Sequence, residues 1–374
     1  MGKRGFTGLI LALVLLIGCA GSDQGKGKEM TAAQPLFGGA QAVCDQGFYY
    51  LNAFGKDRWI LHFWDLENHR DEILCRQQGC THRKEDCGAC FQGNVFVFCQ
   101  NGEAAYVLEQ SGEVTCWKIR PDSPDREKIW QLDADREMKL SRNALIRDQH
   151  MYLGLYTGSR EGENPCEIWE VDLTRGEERK ICLLPRENSM IVAMYQNKLF
   201  VNCYTHNETS AEYEVLSVDV TRDGDPEPVF RQYLTIPTMF WNTSVYGWGN
   251  ELIHCRQEGG HYGVYGYQVT GGRLRQITEL PDHGIMFGAV LDLDLVYVFK
   301  ENSHSVCQLD LLRGQMIYTG GEDYEYIGET EKGVLLKNVP ESGETVASSV
   351  YEWHTREEAK ALLLKFENRQ NKIP

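Results

Sequence analysis

The densest chemistry in this chain lies in one stretch, Cys75-Arg-Gln-Gln-Gly-Cys80-Thr-His82-Arg-Lys-Glu-Asp-Cys87-Gly-Ala-Cys90. Four thiols and an imidazole within so short a run can do one of three things. Tetrahedral zinc takes four soft or borderline donors, and Cys75, Cys80, His82 and Cys87 supply such a set, with Cys90 as a fifth candidate ligand. The spacing, C-x4-C-x-H-x4-C, is not that of a common finger, knuckle or ribbon. Disulfides are the second reading: outside the cytoplasm thiols pair, and Cys75–Cys87 or Cys80–Cys90 would staple a loop. Free thiols are the third. The segment has the size of a loop between two structural units, so its donors can converge without help from distant chain.

Other catalytic signatures are absent from the sequence. There is no G-x-S-x-G elbow, no H-E-x-x-H, no phosphate-binding G-x-x-x-x-G-K-[ST] and no calcium loop of the EF-hand kind. Loops expected at 54–59, 157–165, 205–213, 257–262, 302–304 and 340–345 mix Arg58, Arg160, His206, Glu258, His261 and His304 with Trp59, Tyr213 and Tyr262. Such a mixture can grip sugars or peptides, and it is equally the usual composition of exposed turns.

The elements that must position these residues start from an address. The chain opens Met1-Gly-Lys-Arg, runs apolar from Phe6 to Leu16, and continues Ile17-Gly18-Cys19-Ala20-Gly21-Ser22. A basic start, a short apolar core and small residues at its end describe an export signal, too short for a transmembrane helix of roughly 20 residues. Leu16-Ile17-Gly18-Cys19 resembles the lipobox of bacterial lipoproteins. That resemblance implies cleavage before Cys19, acylation of its sulfur, and a chain tethered to the cell membrane from outside rather than spanning it. Residues 1–18 are then the signal peptide, and 19–36, small, polar and Gly-rich, the lipidated cysteine and a flexible spacer.

The formal net charge is −16. Removing a signal that carries Lys3 and Arg4 and no acid leaves 36 basic against 54 acidic residues. So acidic a surface argues against nucleic acid as a partner and against adhesion to anionic lipid.

The body of the chain, 37–368, repeats, and 369–374 form a short tail. One signal is a turn between apolar strands: Asp45-Gln46-Gly47, Gln92-Gly93-Asn94, Asp148-Gln149-His150, Gln196-Asn197, Gly249-Asn250, Asp292-Leu293-Asp294 and Lys332-Gly333. The other is a strand end such as Val171-Asp172-Leu173-Thr174-Arg175-Gly176, with counterparts at Asp65, Lys118, Asp219, Gln268, Asp310 and His354. The two recur in step, roughly every 42–54 residues. Units of four short strands at this period predict an all-β chain folded as a β-propeller of seven four-stranded blades. Residues 357–366 have helix propensity, but their place in the repeat predicts an outer strand. Residues 29–37 could add a further outer strand at ring closure.

This tandem pattern resembles the non-WD-repeat propellers that include TolB-like domains. The cysteine cluster also resembles a feature of bacterial cell-surface propeller lipoproteins of unassigned function, in which the first blade ends Cys-x-x-Pro-x-Cys-x-His followed by Asp-Cys. Cys75, Cys80, His82, Asp86 and Cys87 match it; Gln78 stands in place of the proline, and Cys90 is additional. The expected function is a membrane-anchored, extracytoplasmic, non-catalytic binding or scaffold module for a protein, peptide or glycan. Two alternatives stand beside it. One is a lyase or hydrolase with its site at the channel mouth. The other is a metal- or redox-responsive surface protein using Cys75 to Cys90, with zinc as the cofactor.

Overall fold

Local hydrogen bonding explains why the two repeating signals travel together. The Asp172 carboxylate accepts from the Thr174 amide at 2.8 Å, the Thr174 hydroxyl at 2.6 Å and the Arg175 amide at 3.2 Å. Gly176 completes the turn with a φ of 69°. Asp219 holds Thr221 in the same way, and Asp65 caps Glu67 and Asn68. These are turns in which an Asp side chain takes the place of a backbone acceptor. The residue after the aspartate then ties the strand end to the other signal. Leu66 donates its amide to the Gln46 carbonyl, Leu173 to Gln149, and Val220 to Asn197, while Val269 makes the equivalent bond to Asn250. In these four sheets both signals therefore sit at one end, referred to below as the turn face.

The computed structural model describes residues 30–364 apart from short connecting stretches, the longest of them 339–350, 236–244 and 158–164. Among the described residues the strands form seven antiparallel sheets. The first holds Gln41–Cys44, Gly47–Ala53, Arg58–Asp65 and Arg70–Ile73. The second holds Asn94–Gln100, Ala104–Gln110, Val114–Ile119 and Glu127–Gln131. The third holds Met138–Arg147, His150–Thr157, Cys166–Asp172 and Glu178–Leu184. The fourth holds Ser189–Tyr195, Lys198–His206, Ser210–Asp219 and Glu227–Thr235. The fifth runs from Val245–Trp248 to Arg273–Leu280, the sixth from Ile285–Val290 to Gln315–Thr319, and the last from Tyr324–Thr330 to Tyr351–His354. Four of the sheets shift register at the same place between third and outer strand, as at Ile168/Trp169 and Val215/Leu216. A bulge there adds to the twist of the outer edge.

The first strands of successive sheets lie against one another from the first sheet to the fifth, and the first strand of the last sheet lies against Gln41–Cys44. The ring thus closes between last sheet and first, where Phe48, Tyr50 and Leu335 pack with Trp64 and Trp353. The architecture is a β-propeller. Apolar clusters fill the spaces between sheets: Tyr49, Leu61 and Phe63 meet Val97, Val107 and Ile119, and Leu108 and Val114 meet Leu153 and Val171. Each such buried side chain contributes about 1.5–3 kcal/mol, which is what makes separate four-stranded sheets stack.

Three local expectations are corrected. Arg356–Leu364 is an α-helix, not an outer strand. Thr355 and Glu358 cap it reciprocally: the Thr355 amide donates to the Glu358 carboxylate at 2.9 Å, and the Glu358 amide to the Thr355 hydroxyl at 3.2 Å. That box starts a helix, and the Ala- and Leu-rich run continues it with Ala359 fully buried. In the second unit, Gln92-Gly93 does not join the first two strands of a sheet. Gly93, at φ 73°, links the outer edge of the first sheet to the first strand of the second. The hairpin between Asn94–Gln100 and Ala104–Gln110 closes across 101–103, outside the described residues. Finally, Met30, Thr31–Ala32 and Gln34–Pro35 belong to the fold and not to the spacer. Thr31 and Ala32 pair with Met194 and Ala193, and Gln34 and Pro35 with Ala144 and Asn143. Both partners are first strands, so the added segment is inner, not outer. Cys19 and the tail 369–374 lie outside the described residues.

Candidate functional site

The cysteine segment is not a loop between sheets. Strand Arg58–Asp65 carries two outer pieces in line, Arg70–Ile73 opposite residues 62–65 and Cys90–Gln92 opposite residues 58–60. Leu61 lies at the gap between them. Its amide donates to the Ala89 carbonyl at 2.9 Å, and its carbonyl accepts from the Leu74 amide at 3.1 Å. Residues 75–89 are therefore an excursion from the middle of one outer strand, with both feet bonded to Leu61.

Within the excursion the backbone turns tightly. The Cys80 amide donates to the Gln77 carbonyl at 3.0 Å, and Gly79 takes a φ of 72°. His82 adopts a φ of 54°, rare for a residue with a side chain, and its amide donates to the Cys80 sulfur at 3.4 Å. The Cys87 carbonyl accepts from the Cys90 amide at 3.0 Å, which sends the chain back into the strand. The result is convergence. One ligand atom from each of Cys75, Cys80, His82 and Cys87 lies within 4.8 Å of all the others. The Cys87 sulfur stands 3.5 Å from His82 Nδ1. Cys87 is fully buried and the other three are half-buried. Burial pushes the Cys87 thiol up to about 12, and the Cys75 and Cys80 sulfurs beside it push the same way.

Cys90 stands apart from this group. It pairs with Ile60 in the sheet and is buried between first and second sheets, where burial raises its thiol. Its carbonyl accepts from Arg126 Nη1 at 3.1 Å. The fifth candidate ligand is thus a strand residue. No sulfur–sulfur bond joins Cys75 to Cys87 or Cys80 to Cys90 in this structure. Asp86 lies outside the described residues. Of the other cysteines, Cys44, Cys116, Cys166, Cys182 and Cys203 are buried in the fold.

Of the loop residues, Arg58, Trp59 and Tyr213 can be placed. Arg58 and Trp59 lie in a strand, where the Trp59 indole donates to the Gly93 carbonyl at 2.9 Å. Tyr213 is fully buried, with its hydroxyl hydrogen-bonded to His254 Nδ1 at 2.9 Å. It is a core residue, not a loop contact. Arg160 and His304, and the side chains of His206, Glu258, His261 and Tyr262, lie outside the described residues.

The channel holds a feature that no side-chain pattern announces. The Met30 amide donates to the Gly249 carbonyl at the turn face at 2.9 Å, and Met30 is buried with Val192, Ala193 and Val245. From there the pairing partners move from Met194 to Ala193, then from Ala144 to Asn143, each step away from the turns at Gln196 and Asp148. The segment enters at the turn face and climbs along the inner strands.

No family model matches the chain, and no curated protein matches it in sequence. Solved structures match in fold. Oligogalacturonate lyase in complex with manganese has a TM-score of 0.53 and 12% identity, over 88% of this chain and 91% of that one. Puromycin hydrolase has a TM-score of 0.56 and 11% identity over 88% of this chain, which spans about half of that enzyme, 52%. TolB from Acinetobacter baumannii has a TM-score of 0.36 and 11% identity, over 77% of this chain and 75% of TolB, too distant a likeness to say more. These identities speak to the propeller fold alone.

Proposed function

We propose that this chain is a membrane-tethered, extracytoplasmic propeller that binds a protein, peptide or glycan and does no chemistry of its own. The observation that carries this reading is the pairing of residues 31–35 with the inner strands Ser189–Tyr195 and Met138–Arg147. A propeller enzyme with its site at the channel needs that channel for substrate. Here the chain's own N-terminal segment occupies the inner edges of two sheets, satisfying backbone groups a ligand would otherwise meet.

The same pairing supports an orientation for a tethered chain. The segment leaves the body at the turn face, beside Gly249. The eleven residue steps from Cys19 to Met30 reach about 40 Å when fully extended. A lipid on Cys19 holds the turn face near the membrane, and the opposite face is the one presented outward.

Two measurements test the reading. The full chain, made in a bacterial host and fed an alkyne fatty acid, is expected to take up the label, and Cys19→Ala is expected to lose it. The processed protein is expected to leave oligogalacturonate and a blocked dipeptide amide intact. An unlabelled wild-type chain would overturn the tether, and turnover of either probe would overturn the non-catalytic role.

A further inference from the structure

We infer that Cys75, Cys80, His82 and Cys87 form a closed structural zinc site that fastens the excursion to the outer edge of the first sheet. The spacing between the donors carries the assignment. Zinc binds sulfur at about 2.3 Å and imidazole nitrogen at about 2.0–2.1 Å, and a tetrahedral angle then separates the two donors by about 3.6 Å. Cys87 Sγ and His82 Nδ1 stand 3.5 Å apart, and the whole donor set falls within 4.8 Å. Disulfides use sulfurs two at a time and give an imidazole no reason to stand among them. Here three sulfurs and a ring nitrogen converge from four separate residues.

Residues 76–79 and 81–86 are polar or glycine throughout. Among the described residues, Leu74, Cys87 and Ala89 at the feet of the excursion join the cluster between first and second sheets, and Cys75 and Cys80 pack against the edge of that cluster. A polar loop without a core needs a cross-link to stay ordered, as small domains do. Soft thiolates select zinc over calcium or magnesium, and four protein donors leave no open coordination position for a substrate water. The site is therefore a fastener and not a catalytic centre. Binding exchanges the three thiol protons for one Zn²⁺, with the protons released to solvent. The His82 amide, 3.4 Å from the Cys80 sulfur, is placed to support the thiolate charge.

The test is elemental analysis of residues 20–374 purified under reductant and without chelator. Stoichiometric zinc is expected, retained in Cys90→Ser and lost in Cys80→Ser and His82→Ala. His82→Cys keeps four donors and is expected to keep the metal, which separates loss of a ligand from failure to fold. Exchange with cobalt is expected to give the intense visible bands and thiolate charge transfer of a tetrahedral site, shifted in His82→Cys. Reduced wild-type protein that holds no metal and takes up no cobalt would overturn the site. Stoichiometric iron would overturn the choice of zinc, and loss of metal in Cys90→Ser would overturn the ligand set.

Discussion

The amide of Met30 donates to the carbonyl of Gly249 at 2.9 Å, joining the start of the described chain to a turn of the fifth sheet. It marks where the N-terminal segment enters the ring. Gly247 confirms how close that approach is: a Cβ there would stand 2.7 Å from the Met30 sulfur and 2.5 Å from the Ala193 side chain.

Met30 should therefore matter to stability although it lies near a chain end. Burying it and then truncating it costs transfer energy plus a cavity, about 2–5 kcal/mol for Met→Ala in a core, and the edge of the ring favours the lower figure. Urea denaturation of residues 20–374 is expected to show Met30→Ala less stable by about 2 kcal/mol. An unchanged midpoint would mean that the segment does not pack.

The C-terminal helix depends on its capping box. Removing the Thr355 hydroxyl is expected to cost about 1 kcal/mol, with Thr355→Ser nearly neutral because it keeps the acceptor. Glu358 is held below the ordinary carboxylate range by the Thr355 amide and hydroxyl. Equal stability of Thr355→Ala and Thr355→Ser would contradict the cap.

Acid sensitivity should trace to the turn aspartates. Asp172 and Asp219 are both held below the ordinary value of 3.8, chiefly by the hydroxyls and amides of Thr174 and Thr221. A depressed folded pKa contributes stability that is present above 3.8 and is lost as pH falls through the folded value. Replacing both with Asn keeps an acceptor in each turn and removes the titration. Urea midpoints of the double Asn variant are expected to fall less steeply than wild type below pH about 4. Parallel curves would assign the acid dependence elsewhere.

Much of this fold was legible because its repeat is written in local chemistry. Asp172 with Thr174, and Asp219 with Thr221, make the same turn from the same letters, and each turn bonds the hairpin two strands earlier. The four residues that converge, Cys75, Cys80, His82 and Cys87, were legible from residue type. Their position was not, because the excursion is defined by backbone bonds to Leu61, a residue with no distinctive signature. Gly93 misled because a positive φ serves a crossing between sheets as well as a hairpin. The capping box at Thr355 and Glu358 was present in the sequence, and the expectation of an outer strand from the repeat overrode it. The pairing of residues 31–35 left no trace, since backbone hydrogen bonds to Met194, Ala193, Ala144 and Asn143 require no particular side chains.

The central claim is that the chain's own N-terminal segment lies along the inner strands. Hydrogen–deuterium exchange on residues 20–374 tests it most directly. Amides of Thr31, Ala32 and Gln34 are expected to exchange as slowly as those of Ser189–Tyr195, and deletion of residues 20–36 is expected to speed exchange at Ala193, Met194 and Ala144. Exchange across 31–35 as fast as in a free peptide of the same sequence would contradict the account and leave the channel open to a ligand.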